Sequence, residues 1–405
     1  MWAVPVAVRG SAVLATIFLT LVALALVGCG TNSKTTTTTT PTTALPPAQP
    51  SYPSTPSVPI TWSPSNSLLP APPACDPPTS TCTPPDSTGS NDFPLTVSNP
   101  TNNATTTSPM TVVASATPKN PIFFMRVYVD QLALYFTYTN SINTQLFVAP
   151  GQHTVEVMAE DTSGYISATI VNVTVTTQAQ TTISGIQNMS GWQTCAADFP
   201  AGSGRAGQLC ASGNPNPPTF SMTQGQSSPA MDGQSAEFSV SGPNAYSNQL
   251  SFNAIAGGNN VSHFIYDLYF YIDNPTAPQA LEFDVNQGFG GYRWVWGSEC
   301  NFRGETPPMW DIWDDASSLW RETSIPCNPF PANTWVHLIW TIERVGNQVH
   351  YISLQVGNQV YNVDTYYNNQ LDWTLEEIDV AFQMDMAQPP LPYNVWLDEV
   401  NLTAY

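Results

Sequence analysis

Positive charge is what this 405-residue chain has least of. Nine Lys and Arg stand against 29 Asp and Glu, for a formal net charge of −20. No lysine follows Lys119. Nucleic-acid affinity rests on Lys and Arg that neutralise phosphates, so this balance excludes a nucleic-acid partner. The acidity reads as solubility outside the cell. Histidine is scarce too, with four residues, and no CxxC or His-paired spacing marks a zinc site. A Ser/His/Asp arrangement, a phosphate loop and a dinucleotide fingerprint are all missing, which removes the common hydrolase and oxidoreductase signatures. Helical periodicity is almost absent beyond residue 185. What remains is a long, strand-forming, aromatic-rich chain, and its length suggests two or three units.

The N-terminus is an address. Arg9 precedes an apolar stretch from Ala12 to Val27, which reads as a secretory signal. Leu26-Val27-Gly28-Cys29 follows and resembles a bacterial lipobox, which implies that residues 1–28 are removed and that Cys29 carries lipid. The competing readings are an ordinary cleaved signal and an uncleaved single anchor. Residues 29–92 are rich in Thr, Ser and Pro. Such composition cannot bury enough apolar surface to offset its conformational entropy, so this segment is expected to be an extended stalk. The expected location is therefore the bacterial cell envelope, lipid-anchored and facing outward. Seven cysteines include Cys29; the other six, Cys75, Cys82, Cys195, Cys210, Cys300 and Cys327, make an even set in an exported protein. Sequential pairing is favoured because each pair brackets one segment.

Two folded units follow. From Leu95 to about Thr177, short strands recur between turn signals such as Asn99-Pro100, Pro150-Gly151 and Asp161 to Gly164. The run Ala149-Pro150-Gly151-Gln152-His153-Thr154-Val155-Glu156-Val157 resembles the last hairpin of bacterial Ig-like domains, which implies a β-sandwich spacer over 93–178. Tryptophan concentrates beyond it, from Trp192 to Trp396. About ten strands are expected over 185–405, with Gly346-Asn347 and Gly357-Asn358 as hairpin turns. A parity switch in the last strand predicts a bulge at Asp398-Glu399. The fold class is all-β, an Ig-like sandwich followed by a larger two-sheet jelly roll.

The functional signal lies between Ile265 and Tyr351. Leu281, Phe283 and Val285 alternate with Glu282, Asp284 and Asn286, the pattern of a half-buried strand. The preceding run sets Tyr266, Leu268, Phe270 and Ile272 against Asp267, Tyr269 and Tyr271. The next sets Val295 against Tyr292, Trp294 and Trp296. If aliphatic residues take the core side, the opposite faces share carboxylates and rings. Rings stack on the apolar faces of pyranoses, and carboxylates accept hydroxyl hydrogen bonds. Met309 to Asp315, after Pro307-Pro308, is expected to be a loop that presents Trp310 and Trp313. The candidate carbohydrate contacts are thus Asp267, Tyr269, Glu282, Asp284, Trp294, Trp296, Trp310 and Trp313. Two bland readings stand beside this one. The carboxylates fit a solvated sheet face, and Trp294 and Trp296 fit a core with Arg293 and Val295 outward.

The stretch from Ala280 to Asp284, the strand from Trp335 to Trp340 with its two glycine turns, and the run from Val395 to Asp398 resemble a concanavalin A-like lectin/glucanase sandwich. In lectins of that family a Glu-x-Asp strand holds a metal pair, which implies a structural calcium at Glu282, Asp284 and Asn286. In glucanases the strand continues to a further Glu; here the matching positions are Asn286 and Gln287, both amides. If the chain is an enzyme, Glu282 and Asp284 are its catalytic pair. Their Cα atoms are about 6.6 Å apart on one strand, and retaining glycosidases hold carboxyl groups about 5–5.5 Å apart. Three functions follow from this reading. The first is a lipoprotein presenting a non-catalytic domain that binds a neutral glycan, without a required cofactor. The second is a glycoside hydrolase or polysaccharide lyase on the same fold. The third is a structural or adhesive protein that binds another protein.

Overall fold

Period-two alternation becomes strand almost everywhere it occurs. The computed structural model describes residues 91–178, 180–195, 218–243, 248–303, 307–327, 330–372 and 376–405. The signal segment, Cys29, Cys75, Cys82, Cys210, the linker before residue 91 and the side chain of Cys195 lie outside the described residues.

The first sandwich comprises β1 (Leu95–Asn99), β2 (Ala104–Ser108), β3 (Met110–Ala116), β4 (Ile122–Val129), β5 (Leu132–Thr137), β6 (Ser141–Phe147), β7 (Gly151–Asp161) and β8 (Ile166–Gln178). One sheet runs β2-β8-β7-β4-β5, with β2 parallel to β8; the other begins β1-β3-β6. Val112, Val127, Val155, Val157 and Val173 fill the space between them. The chain continues through β9 (Thr181–Ile183), β10 (Gln193–Cys195), β11 (Thr219–Gln226), β12 (Ser235–Ser241), β13 (Asn248–Gly258), β14 (His263–Ile272), β15 (Pro278–Phe289) and β16 (Tyr292–Trp296). After these come β17 (Ser298–Asn301), β18 (Met309–Asp314), β19 (Leu319–Pro326), β20 (Trp335–Val345), β21 (Gln348–Val356), β22 (Gln359–Asn368), β23 (Gln370–Leu371), β24 (Ile378–Met386) and β25 (Tyr393–Ala404).

These strands form a two-sheet jelly roll. One sheet orders β11-β12-β25-β14-β20-β21-β22, and the other orders β13-β24-β15-β17-β18-β19. The expected meander is β20-β21-β22, with Gly346 and Gly357 both at φ 59°, where a side chain would strain the turn. The expected bulge is present: register slips opposite Asp267 and Tyr269, and Glu399 takes φ 48°. Asp398 is fully buried there. It accepts hydrogen bonds from Gln187 Nε2 at 3.1 Å and from the Met231 amide at 2.6 Å.

The central strands β14 and β15 lie in different sheets and meet across the core, where Phe270 and Phe283 have ring centroids 5.3 Å apart. The indoles of Trp294, Trp296 and Trp310 are buried between the sheets. This corrects the expectation that they face a ligand. Large rings fill the roughly 10 Å between packed sheets better than Val295 does. Trp294 and Trp296 donate from Nε1 to the carbonyls of Gly346 and Glu343, each at 3.2 Å. The expected loop at Met309–Asp314 is strand β18, paired on both edges, so Trp310 and Trp313 point to opposite faces. Cys300 and Cys327 are joined, with Cα atoms 5.5 Å apart, and the bond closes the excursion that contains β18 and β19.

The two sandwiches share a sheet. Leu146 and Phe147 of β6 pair in parallel with Gly257 and Gly258 of β13. The approach needs glycine: a Cβ on Gly257 would lie 2.1 Å from the Leu134 carbonyl oxygen. Arg126, under the rings of Phe124 and Phe136, reaches Glu376 at 2.8 Å across the same junction. Gly257→Ala should therefore cost about 1–3 kcal/mol through overpacking and lower the melting temperature. An unchanged thermal melt would show that the backbones do not meet there.

Candidate functional site

The outward face of β15 carries Glu282, Asp284 and Asn286, because the inward positions are taken by Leu281, Phe283 and Val285. Antiparallel register extends that face across the sheet. Glu282 lies opposite Gln383 of β24 on one side and Glu299 of β17 on the other. Glu299 lies opposite Asp311 of β18, and Asp311 opposite Glu322 of β19. A polar row thus crosses five strands. In the adjacent row Trp313 of β18 pairs with Trp320 of β19, their rings meeting edge to face at 5.1 Å. Both indoles are half-exposed.

Gly297 ties the rows together. A Cβ there would lie 2.9 Å from Trp313 Cβ, 3.4 Å from Asp284 Oδ1 and 3.4 Å from the Trp320 ring. The missing side chain leaves one carboxylate and two indoles converging on a single spot. Asp284 is held by the Ser298 amide, which donates to Oδ1 at 3.1 Å. Ring faces beside a fixed acceptor can seat a sugar ring and bind its hydroxyls.

The carboxylates beside this spot are crowded. Glu282, Glu299 and Asp385 can each place an oxygen within 4.8 Å of the others. Gln383 donates to Glu282 and, at 3.1 Å, to Asp385 Oδ1. Asn301 donates to Glu299 at 3.4 Å and to Asp311 at 3.1 Å. Glu282 is 8% exposed and Glu299 6%, so their charged forms lose most of their hydration. Burial, then repulsion from Asp385 and its neighbours, holds both well above the usual carboxylate range. Burial likewise raises Asp284 to about 7, against the hydrogen bond from Ser298, and Asp385 to about 6. Like charges this close ionise together only with a shared proton or a cation between them.

The structure therefore divides the residues singled out by sequence. It brings Glu282, Asp284 and Trp313 to one outward face. Asp267 and Tyr269 lie on the opposite side of the sandwich, on the outward face of β14, where Asp267 meets His337 Nε2 at 2.7 Å and Tyr269 stacks on His337 at 4.2 Å. This corrects their grouping with Glu282: the strands are neighbours in sequence but belong to different sheets. Trp294, Trp296 and Trp310 contribute to no surface. Sequence reasoning missed Glu299, Asp311 and Trp320 as members of the site. Trp320 and Glu322 do share a parity, but β17 has only four residues and only long-range pairing shows where it and β19 dock.

No protein-family model matches the chain, and no curated protein does. Among solved structures, a carbohydrate-binding module of the β-sandwich superfamily is similar at 12% identity, covering 76% of this chain and 96% of its own, with a TM-score of 0.27. A cellulose-induced protein is similar at 11% identity, covering 54% and 96%, with a TM-score of 0.33. A lectin complexed with galactose is similar at 12% identity, covering 46% and 92%, with a TM-score of 0.29. Likenesses this remote carry no argument about a site.

The raised carboxyls make stability depend on pH. The folded protein holds protons that the unfolded chain releases near the ordinary 3.8 to 4.5, and it gives the Asp284 proton up only at about 7. Their contribution is present at low pH and is lost as pH rises through that window. Melts in chelator should fall in temperature from about pH 4.5 to about pH 7.5, and Glu299→Gln should flatten the slope by removing one repelling charge. Equal slopes for the two proteins would mean that these carboxyls titrate normally.

Proposed function

We propose that this is an exported, lipid-anchored surface protein whose C-terminal sandwich binds a neutral glycan without cleaving it. The observation that carries the reading is the convergence of Asp284, Trp313 and Trp320 on the space above Gly297. Half-exposed indoles beside an immobilised carboxylate offer stacking and hydroxyl acceptance together, and the site has an acidic rather than basic border. In this reading Glu282, Glu299 and Asp385 shape and hold the site. Cleavage by Glu282 and Asp284 lacks the further acid of the glucanase pattern: Asn286 and Gln287 stand in its place, and buried Gln287 donates to the Gly258 and Val261 carbonyls.

The rest of the chain takes supporting roles. Residues 93–178 act as an Ig-like spacer, supported by the β1-β3-β6 and β2-β8-β7-β4-β5 sheets. Residues 29–92 form the stalk, and Cys29 bears the lipid. The lectin resemblance implies calcium at Glu282, Asp284 and Asn286, but the acidic cluster holds neither of the last two, and Asn286 donates to Asp379 at 2.8 Å. We propose instead that Glu282, Glu299 and Asp385 hold a structural calcium, with the side-chain Oδ1 of Asn248 as a further ligand. Asn248 sits opposite Asp385, and its buried Oδ1 has no hydrogen-bond partner. Calcium in place of the shared protons would remove the pH slope described above; unchanged melts on calcium addition would refute the assignment.

Two experiments test the main reading. On an array of soluble oligosaccharides, Trp320→Ala and Trp313→Ala should each weaken binding about tenfold or more, since about 1.4 kcal/mol is a factor of ten. Glu282→Gln should leave binding within a few-fold and release no product, as for the parent. New reducing ends or unsaturated products from the parent, abolished by Glu282→Gln, would make the protein a hydrolase or lyase instead. Silence of the parent on every glycan would favour a protein partner. For the anchor, Cys29→Ser should move the protein from the detergent phase to the aqueous phase, and identical partitioning of variant and parent would rule the lipid out.

A further inference from the structure

The opposite outward face has its own ring system. Register places Glu237 of β12, Trp396 of β25, Tyr271 of β14 and Trp335 of β20 in one row across the sheet. The Tyr271 ring centroid lies 5.3 Å from that of Trp335 and 5.5 Å from that of Trp396, at interplanar angles of 56° and 87°. Tyr271 stands between the two indoles, and its hydroxyl donates to Asn333 Oδ1 at 3.1 Å. All three rings are half-exposed. In the next row are Tyr269 and His337, stacked in parallel, with Asp267 alongside. The four strands contain one arginine and no lysine. That residue, Arg344, is drawn inward over Phe289 and Trp294.

Trp335 and Trp396 are two strands apart, which at about 4.8 Å per strand separates them by roughly 10 Å. An extended β-1,4-linked hexopyranose chain presents the same ring face on every second sugar, and its disaccharide repeat has this length. We propose that this face binds an extended, neutral β-1,4-linked polysaccharide. Trp335 and Trp396 stack under alternate sugars, Tyr271 fixes their spacing, and Glu237 and Asp267 accept hydroxyl hydrogen bonds at the edges. The lack of Lys and Arg on the face argues against an anionic polymer. Because Trp313 and Trp320 lie on the other side of the sandwich, this inference does not rest on the function proposed above.

Depletion of the full-length protein from detergent solution onto regenerated cellulose and onto chitin particles tests it. The parent should adsorb to at least one of the two. Trp335→Ala and Trp396→Ala should each weaken adsorption about tenfold or more, and the double variant should abolish it. A Tyr165→Ala variant, which removes an exposed ring from the first sandwich, should adsorb like the parent. Three results would overturn the proposal. The parent could adsorb to neither polymer. Adsorption could follow Trp313 and Trp320 instead. Or the Trp335→Ala/Trp396→Ala protein, still melting cooperatively, could adsorb like the parent; the row would then be cross-strand packing alone.

Discussion

The contact between Phe270 and Phe283 sets the geometry of everything functional in this chain. Once the inward faces of β14 and β15 are locked across the gap, period two leaves no freedom. Asp267, Tyr269 and Tyr271 must leave the sandwich on one side, and Glu282 and Asp284 on the other. A one-residue slip in either strand would drive carboxylates into the core, so burial holds the register strongly. The tryptophans reinforce this. Trp294, Trp296, Trp310 and Trp340 are buried between the sheets, and Phe264 packs against Trp296 at 5.4 Å. Each such side chain contributes about 1.5–3 kcal/mol on burial. The sheets are thus cemented by rings that a surface reading would have assigned to a ligand.

That division explains how far the sequence could be read. Local signals were sufficient for local structure. The alternation in β14, β15, β21 and β24, the glycine turns after β20 and β21, and the parity switch in β25 all report on neighbours within a few residues. Pairing across the chain left no such trace. Glu282 and Gln383 are 101 residues apart, and their hydrogen bond depends on β24 lying beside β15. Parity was legible for the run from Tyr292 to Trp296, but its sign was not. An Arg-x-Val strand face is polar enough to be outward only when Arg293 has carboxylates to meet, and those are Asp315 and Asp372, at 3.1 and 3.3 Å. The strand Met309–Asp314 was hidden by the prolines before it. It is held in the sheet by β17 on one edge and β19 on the other, and the Cys300–Cys327 bond joins the two ends of that excursion.

Scarcity of cations then decides which carboxylates are reactive. Every histidine meets an acid: His153 meets Asp130, His337 meets Asp267, and both His263 and His350 meet Glu343. Arg126, Arg293 and Arg321 are likewise engaged with Glu376, Asp315 and Asp314. Arg344 is buried on the carbonyls of Asn259 and Val261 and on the Gln287 side chain. With these cations engaged in fixing strands and junctions, Glu282 and Glu299 are raised by burial first and by the repulsion of Asp385 and its neighbours next. A sheet face in that state gains whenever a proton, a cation or a hydroxyl-rich ligand supplies hydrogen bonds to its oxygens. In the function proposed above, the surplus of negative charge is therefore the property that suits this face to a neutral, hydrogen-bond-donating partner.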